Sequence, residues 1–379
     1  MKKILIRYYG KLNFGDDLFV ALLAKHFDDC KINLLVNPTF LAKHTSKNIS
    51  VHPFSFFRAF IGKLKRILKK IPPLVQRIDK FYQKSLTKLA NAHDAYVYIG
   101  GSIFMQKNTG TEINFQTEQT PNFDYTSTPQ STDHSFIIGA NLGPIYSEQY
   151  CSDIKRKFME YTHICLRDYS SYCLVEDISH VQYAPDVIFL ASQPEITTDK
   201  ENVVISVIDI SRHSSDTAVI SAYYHLLKEV VLKFTSLDIP VTLVSFCKSE
   251  GDEAAIDKLI GLLPDTKNVS TYFYNGNMEE TLSLFSNASF IVASRFHSMI
   301  LGISFGKPVF PVSYNCKTTN YLHDLGFHGN YATLSTLAKT TCDDVFYNYE
   351  NHIITDCSLH KKYASNQFRA LRTLIDSLS

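Results

Sequence analysis

The sequence predicts an α/β protein of two open domains, each a parallel sheet covered by helices. Three observations carry this. The chain has 379 residues, more than one ordinary domain needs. Short β-rich runs alternate with helical periodicities along most of it, the pattern of strand–helix–strand units. A polar stretch at 192–202, SQPEITTDKEN, interrupts that alternation just before a fresh strand run. The expected domains are therefore 1–195 and 196–379. Hydrophobic residues make up 45% and charged residues 20%, which suits folded domains and excludes disordered or fibrous classes.

In the first half, an apolar run at 3–8 opens the chain. Leu18, Leu22, Leu23 and His26 then take helical spacing. Further strands are expected at 32–36, 95–99, 136–140 and 163–166, with a helix at 148–161. The second half repeats the logic with strands at 203–208, 241–246, 271–274, 290–293 and 309–312. Helices are expected between them at 217–235, 250–263, 279–287 and 297–305. A ligand is expected in the cleft between the domains, at the carboxyl ends of strands.

Two segments break the pattern. Residues 58–88 hold ten Lys/Arg and one acid, Asp79. Phe60, Leu64, Ile67, Leu68 and Ile71 fall on one helical face, with Lys63, Lys65, Arg66, Lys69 and Lys70 elsewhere around it. Phe54, Phe56 and Phe57 precede them. That pattern fits a basic amphipathic helix on an anionic membrane surface, and equally a solvated helix packed on its domain by the apolar stripe. Residues 107–134, rich in Thr, Asn, Gln and Ser, are too long for an ordinary connection. They read as a mobile lid or a disordered insertion.

Charge and cysteines bound the class further. With 38 Lys/Arg against 37 Asp/Glu, no global field favours nucleic acid. Eight scattered cysteines, none in C-x-x-C spacing, read as reduced thiols of a cytosolic protein. Arg7 follows only three apolar residues, so no signal peptide is expected, and no run of about 18 apolar residues occurs.

Five motifs are candidates for chemistry, the first four at expected strand ends. Gly10-Lys11-Leu12-Asn13-Phe14-Gly15-Asp16-Asp17 precedes the first helix; Gly15 allows close backbone approach. Asp16 or Asp17 would cap the helix or position acceptor hydroxyls. The run is neither G-x-G-x-x-G nor a P-loop. Gly100-Gly101-Ser102 would turn backbone N–H groups toward an anion. Gly139-Ala140-Asn141-Leu142-Gly143-Pro144 is next, then Leu166-Arg167-Asp168, readable as a local ion pair. Ala184-Pro185-Asp186 reads as a turn acid.

The strongest constellation is Ser294-Arg295-Phe296-His297-Ser298, which opens a helix directly after a strand. Helix N-termini attract anions, Arg grips phosphate or carboxylate, and His delivers protons near neutral pH. Lys317 opens the following helix after the next strand. Two neighbouring strand ends thus bring Arg295, His297 and Lys317 together.

These motifs resemble the polysaccharide pyruvyl transferase family: NFGDD, GGS, GANLGPI, LRD, APD, SRFHSMILGISFGKPVFPVSYNCK and YLHDLG stand in its order over residues 1 to about 330. The resemblance implies a glycosyltransferase-B-like pair of Rossmann-like domains. It implies phosphoenolpyruvate as donor, a sugar diol as acceptor, and a pyruvate ketal plus phosphate as products. His297 matches the family's catalytic histidine. Arg167, Arg295 and Lys317 match its basic donor-holding positions. Ser102 replaces a frequent third glycine, and Asp17 a frequent glutamate.

Together these readings give His297, Asp16 and Asp17 as catalytic candidates. Arg167, Arg295, Lys317, Ser298, Gly100 and Gly101 are donor contacts, and Asn13, Asp17 and Asn141 acceptor contacts. No metal and no cofactor beyond phosphoenolpyruvate as co-substrate are expected. The acceptor would be a glycan or a polyprenyl-linked sugar, reached from the cytoplasm or peripherally on the inner membrane face. The alternatives are a glycosyltransferase of the same architecture using a nucleotide sugar, and a non-catalytic glycan- or anion-binding module.

Overall fold

The computed structural model describes residues 1–37, 39, 41–43, 46–68, 70–106, 134–198 and 200–378. The expected insertion thus lies outside the described residues, except for its last one, His134. Among the described residues, thirteen strands form two sheets, and every pairing is parallel.

The first sheet contains β1 (Lys3–Arg7), β2 (Lys31–Leu35), β3 (Ile49–Val51), β4 (Ala95–Ile99), β5 (Ser135–Ala140), β6 (His163–Leu166) and β7 (Val181–Tyr183). Their order is β3-β2-β1-β4-β5-β6-β7. The second contains β8 (Val203–Ser206), β9 (Val241–Ser245), β10 (Val269–Phe273), β11 (Phe290–Ala293), β12 (Val309–Ser313) and β13 (Ala332–Thr333). Their order is β10-β9-β8-β11-β12-β13. Strand order reverses between β1 and β4 in one sheet and between β8 and β11 in the other. Carboxyl ends at such reversals are where open α/β sheets form ligand crevices.

The strands read as apolar runs because helices cover both faces of a parallel sheet. In the second sheet, Val203, Ile205, Val292 and Phe310 are buried with Tyr223, Leu227, Val230 and Phe234 of the helix Thr217–Ser236. Each such aliphatic or aromatic side chain contributes roughly 1.5–3 kcal/mol by leaving water. In the first, Leu5, Tyr96, Ile137 and Ile164 pack with Ile154 and Phe158 of the helix Glu148–Phe158.

The chain divides into units in a way that local periodicity does not disclose. One unit comprises Met1–Gly10, Phe19–Val187 and Tyr363–Ser379; the other comprises Lys11–Leu18 and Ile188–Lys362. The C-terminal helix Arg369–Ser377 returns to the first unit, burying Leu371 and Ile375. Arg372 seals it there. Its guanidinium donates to Asp29 Oδ2 at 2.9 Å and to the His26 carbonyl at 2.7 Å. The side chain of Gln367 adds three hydrogen bonds. Its Oε1 accepts from Gly139 N–H, and its Nε2 donates to the carbonyls of Leu166 and Ala184.

Candidate active site

In the second unit, β11 ends at Ala293 and Arg295 is the N-cap of the helix Phe296–Ser304. Ser206 holds the junction: its Oγ accepts the N–H groups of Ser294 and Arg295 at 3.0 and 3.1 Å. Gly302 lets the helix lie close on the sheet, since a methyl there would stand 2.7 Å from Ile291 Cδ1 and 2.8 Å from Val309 Cγ2. The first N–H groups of such a helix have no intrahelical acceptor and face outward as an anion site.

His297 occupies the first turn of this helix and is half-buried. Its Nδ1 edge lies on Gly15 so closely that any side chain at residue 15 would collide with Nδ1, Cγ and Cε1. Nε2 is on the opposite edge of the ring. Glycine at this position is therefore a requirement of close approach, not of a turn. Lys11–Leu18 belongs to the same unit, held by the Phe14 N–H on the Phe246 carbonyl at 3.2 Å.

The acids of this segment take different stations. Asn13, and neither aspartate, caps the helix Phe14–His26, accepting from Gly15 N–H at 3.2 Å. Asp17 is fully buried, and its Oδ2 accepts from the Tyr274 hydroxyl at 3.0 Å. Asp16 keeps partial solvent contact.

Arg295 is committed to protein partners. It is 9% exposed; Nε donates to Asp252 Oδ2 at 3.0 Å, and the two terminal nitrogens engage Glu250 and Asp252. Asp252 also accepts the N–H groups of Phe246 and Cys247 at 3.1 and 3.0 Å. Burial holds its carboxyl above the ordinary range, with Arg295 opposing. The guanidinium of Arg295, expected to hold an anion, thus sits in an ion-pair clamp. Ser298, also expected at the donor, is fully buried.

Lys317 lies in the helix Cys316–Asp324, just past the end of β12, the neighbour of β11. Its ammonium stands 5.2 Å from the Phe296 ring centre and 5.8 Å from that of Tyr314. His213 stacks on Tyr314 with ring centres 4.0 Å apart. Desolvation, then the charges of Arg295 and Lys317, push its pKa down to about 4. His213 keeps solvent contact, so the share owed to the two cations is what a bound anion would reverse.

The first unit gathers the remaining motifs into one buried cluster. Arg167 is 2% exposed; Nη1 pairs with Asp186 Oδ2 and Nη2 donates to Asn141 Oδ1, both at 3.0 Å. Ser102 Oγ donates to the same Asn141 oxygen at 3.1 Å. A methyl on Gly101 would stand 2.9 Å from Arg167 Nη2. The Gly100 N–H donates to the Ile138 carbonyl at 3.4 Å. Asp168 caps the helix Tyr169–Cys173 through the Ser171 N–H at 2.8 Å.

Sequence reasoning missed Asp252, Glu250, Tyr274, Tyr314 and His213. Their signal is an acidic pair at the start of the helix Asp252–Ile260 that follows β9 and an aromatic three residues before Lys317, neither of which names a partner.

Three solved structures share the fold. The S. aureus MnaA–UDP co-structure is 10% identical, with 97% of this chain and 94% of that chain covered at a TM-score of 0.57. A putative UDP-N-acetylglucosamine 2-epimerase from Listeria monocytogenes is 8% identical over 100% and 98%, at 0.57. Methanocaldococcus jannaschii UDP-GlcNAc 2-epimerase, in complex with UDP-GlcNAc and UDP, is 10% identical over 99% of both chains, at 0.54. These likenesses establish the architecture, two Rossmann-like α/β units of the glycosyltransferase-B type. No curated protein matches in sequence. The family model for polysaccharide pyruvyl transferase matches residues 13–315, from the cap of the first helix to the turn before Lys317. That span is most of the chain, includes His297 and ends two residues before Lys317; the chain belongs to the polysaccharide pyruvyl transferase family.

Proposed function

We propose that the protein transfers the enolpyruvyl carbon skeleton of phosphoenolpyruvate to a sugar diol, forming a cyclic pyruvate ketal and releasing phosphate. The acceptor is a surface glycan or its lipid-linked precursor. The observation that carries this reading is His297 at a helix N-terminus, its ring set against Gly15, with Lys317 at the adjacent strand end. The donor bears a phosphate and a carboxylate. A helix N-terminus and a lysine suit such charges.

His297 gives its proton to the methylene carbon, which becomes the methyl group. The positive charge that develops on the adjacent carbon is met by a first sugar hydroxyl. The C–O bond to phosphate then breaks, and a second hydroxyl closes the ketal. The base that takes the two hydroxyl protons passes one on to restore His297 and the other to the departing phosphate, so both groups end as they began. Asp16 is the proposed base, because it retains solvent contact where Asp17 is buried. Asp17, Asn13, Arg295, Arg167 and Asn141 act as positioning residues on this reading, since each is engaged by protein partners.

The test is phosphate release from phosphoenolpyruvate with a panel of diol-bearing glycans, run beside UDP release from UDP-sugars. Phosphate release that requires an acceptor supports the proposal. UDP release without it reassigns the chain to glycosyl transfer.

A further inference from the structure

The basic segment folds as two helices, Phe54–Leu68 and Pro72–Asn91, joined by a short turn. They pack on each other through Phe57 against Phe81 and Tyr82, and through a Lys65–Asp79 pair at 2.6 Å. The side of the first helix that meets the domain carries Ile61, buried, and Phe54 and Phe57, packed on the core. The opposite side is not polar. Phe56, Phe60 and Ile67 are 63%, 61% and 76% exposed, and their spacing of four and seven residues puts them on one face. Lys63 shares that face and is exposed. Ile71 in the turn is exposed as well. On the second helix, Leu74 and Phe81 are exposed on a face shared with Arg77, Lys84 and Lys88.

We propose that this helical hairpin seats the protein on an anionic lipid bilayer. Phe56, Phe60 and Ile67 enter the headgroup boundary, and the surrounding cations meet lipid phosphates. Two features favour a bilayer over an acidic protein surface. Large apolar side chains stand interleaved with cations on the same exposed faces, the arrangement that interfacial helices use. The charge is also strongly localised. Residues 58–88 hold ten of the chain's 38 Lys/Arg and one of its 37 Asp/Glu, leaving 28 basic against 36 acidic residues elsewhere. An anionic sheet therefore attracts this region and repels the rest, which fixes which face lands. Among the described residues no helix is long and apolar enough to cross a membrane, so the contact is superficial. The proposal rests on the hairpin alone and stands apart from the transfer reaction.

The full chain is sedimented with vesicles of phosphatidylcholine, with or without phosphatidylglycerol. Binding is expected only with phosphatidylglycerol, weakening with salt. Replacing Lys63, Arg66, Arg77, Lys80 and Lys84 by Gln, or Phe56, Phe60 and Ile67 by Ser, should each lower the affinity by about tenfold or more. The chain contains no Trp. A Phe60→Trp variant thus carries a single indole, expected to shift to the blue on these vesicles and to be quenched by brominated lipid. In Tyr347→Trp, at an exposed site outside the hairpin, the indole should do neither. Failure of the wild type to sediment with phosphatidylglycerol overturns the proposal. Undiminished binding by the Ser variant does so too, because the contact is then purely ionic. Lipid-free self-association lost in Phe60→Ser would assign the face to a second copy instead.

Discussion

Arg167 and Arg295 follow strand ends in different units, both are buried, and both pair with an aspartate, yet their surroundings differ. Around Arg167, the partners Asp186 and Asn141 are buried too. Around Arg295, the clamp on Asp252 and Glu250 adjoins His297 and Lys317, which stay half-buried at helix starts. The same local motif, a strand followed by an arginine, therefore builds architecture in one unit and supports a chemically equipped surface in the other.

The largest expected effect tests that commitment. Arg167→Ala and Arg295→Ala each strand a buried carboxylate and should cost about 3–5 kcal/mol in urea unfolding. Removing Arg167 and Asp186 together, as Met and Leu, should cost far less than either single change. A small effect of Arg295→Ala would mean its clamp is not structural.

Glycine substitutions sharpen the contrast. Gly15→Ala must displace His297 and should slow phosphate release by about 10²-fold, the usual penalty for about 1 Å of misplacement. Gly101→Ala crowds Arg167 instead and should appear chiefly as about 1–3 kcal/mol of lost stability, with a loss of rate well below that of Gly15→Ala. Equal effects of the two on rate would erase the distinction.

The smallest effect is electrostatic. His213 has an ordinary value of 6.5 and a folded value of about 4, so only the unfolded chain gains a proton between them. Its contribution to stability is complete above 6.5 and is lost as pH falls toward 4. His52, His93 and His163, lowered chiefly by desolvation, act in the same direction in the first unit. Urea midpoints should therefore drop on acidification from neutral pH. Phosphoenolpyruvate beside Arg295 and Lys317 should raise the His213 value, which an imidazole NMR titration reads. No response to the donor would place its charges elsewhere.

Much of this was legible in the sequence. Alternating periodicities disclosed two parallel-sheet units, and the strand-then-helix context of Arg295-Phe296-His297 located the strongest candidate. The turn residue Asp186 was visible, but its bond to Arg167 was not, because 19 residues separate them and a pairing across strands leaves no local trace. The bond of Asp252 to Arg295 was invisible for the same reason, with 43 residues between them. The exchange of Lys11–Leu18 and Tyr363–Ser379 between units was invisible too, since their contacts, such as Asp17 with Tyr274, span most of the chain. The exposed stripe on the basic hairpin was half visible. Periodicity gave a face, and only the fold told which face the domain had already used.

The most direct test of the central claim is calorimetric titration with phosphoenolpyruvate of the wild type, Lys317→Gln and His297→Asn, with phosphate release measured on each. The account predicts donor binding by the wild type and about tenfold weaker binding by Lys317→Gln. It predicts near-normal binding by His297→Asn, with turnover reduced by about 10²–10⁴-fold. Normal turnover in His297→Asn, or equal affinity in Lys317→Gln, would contradict it.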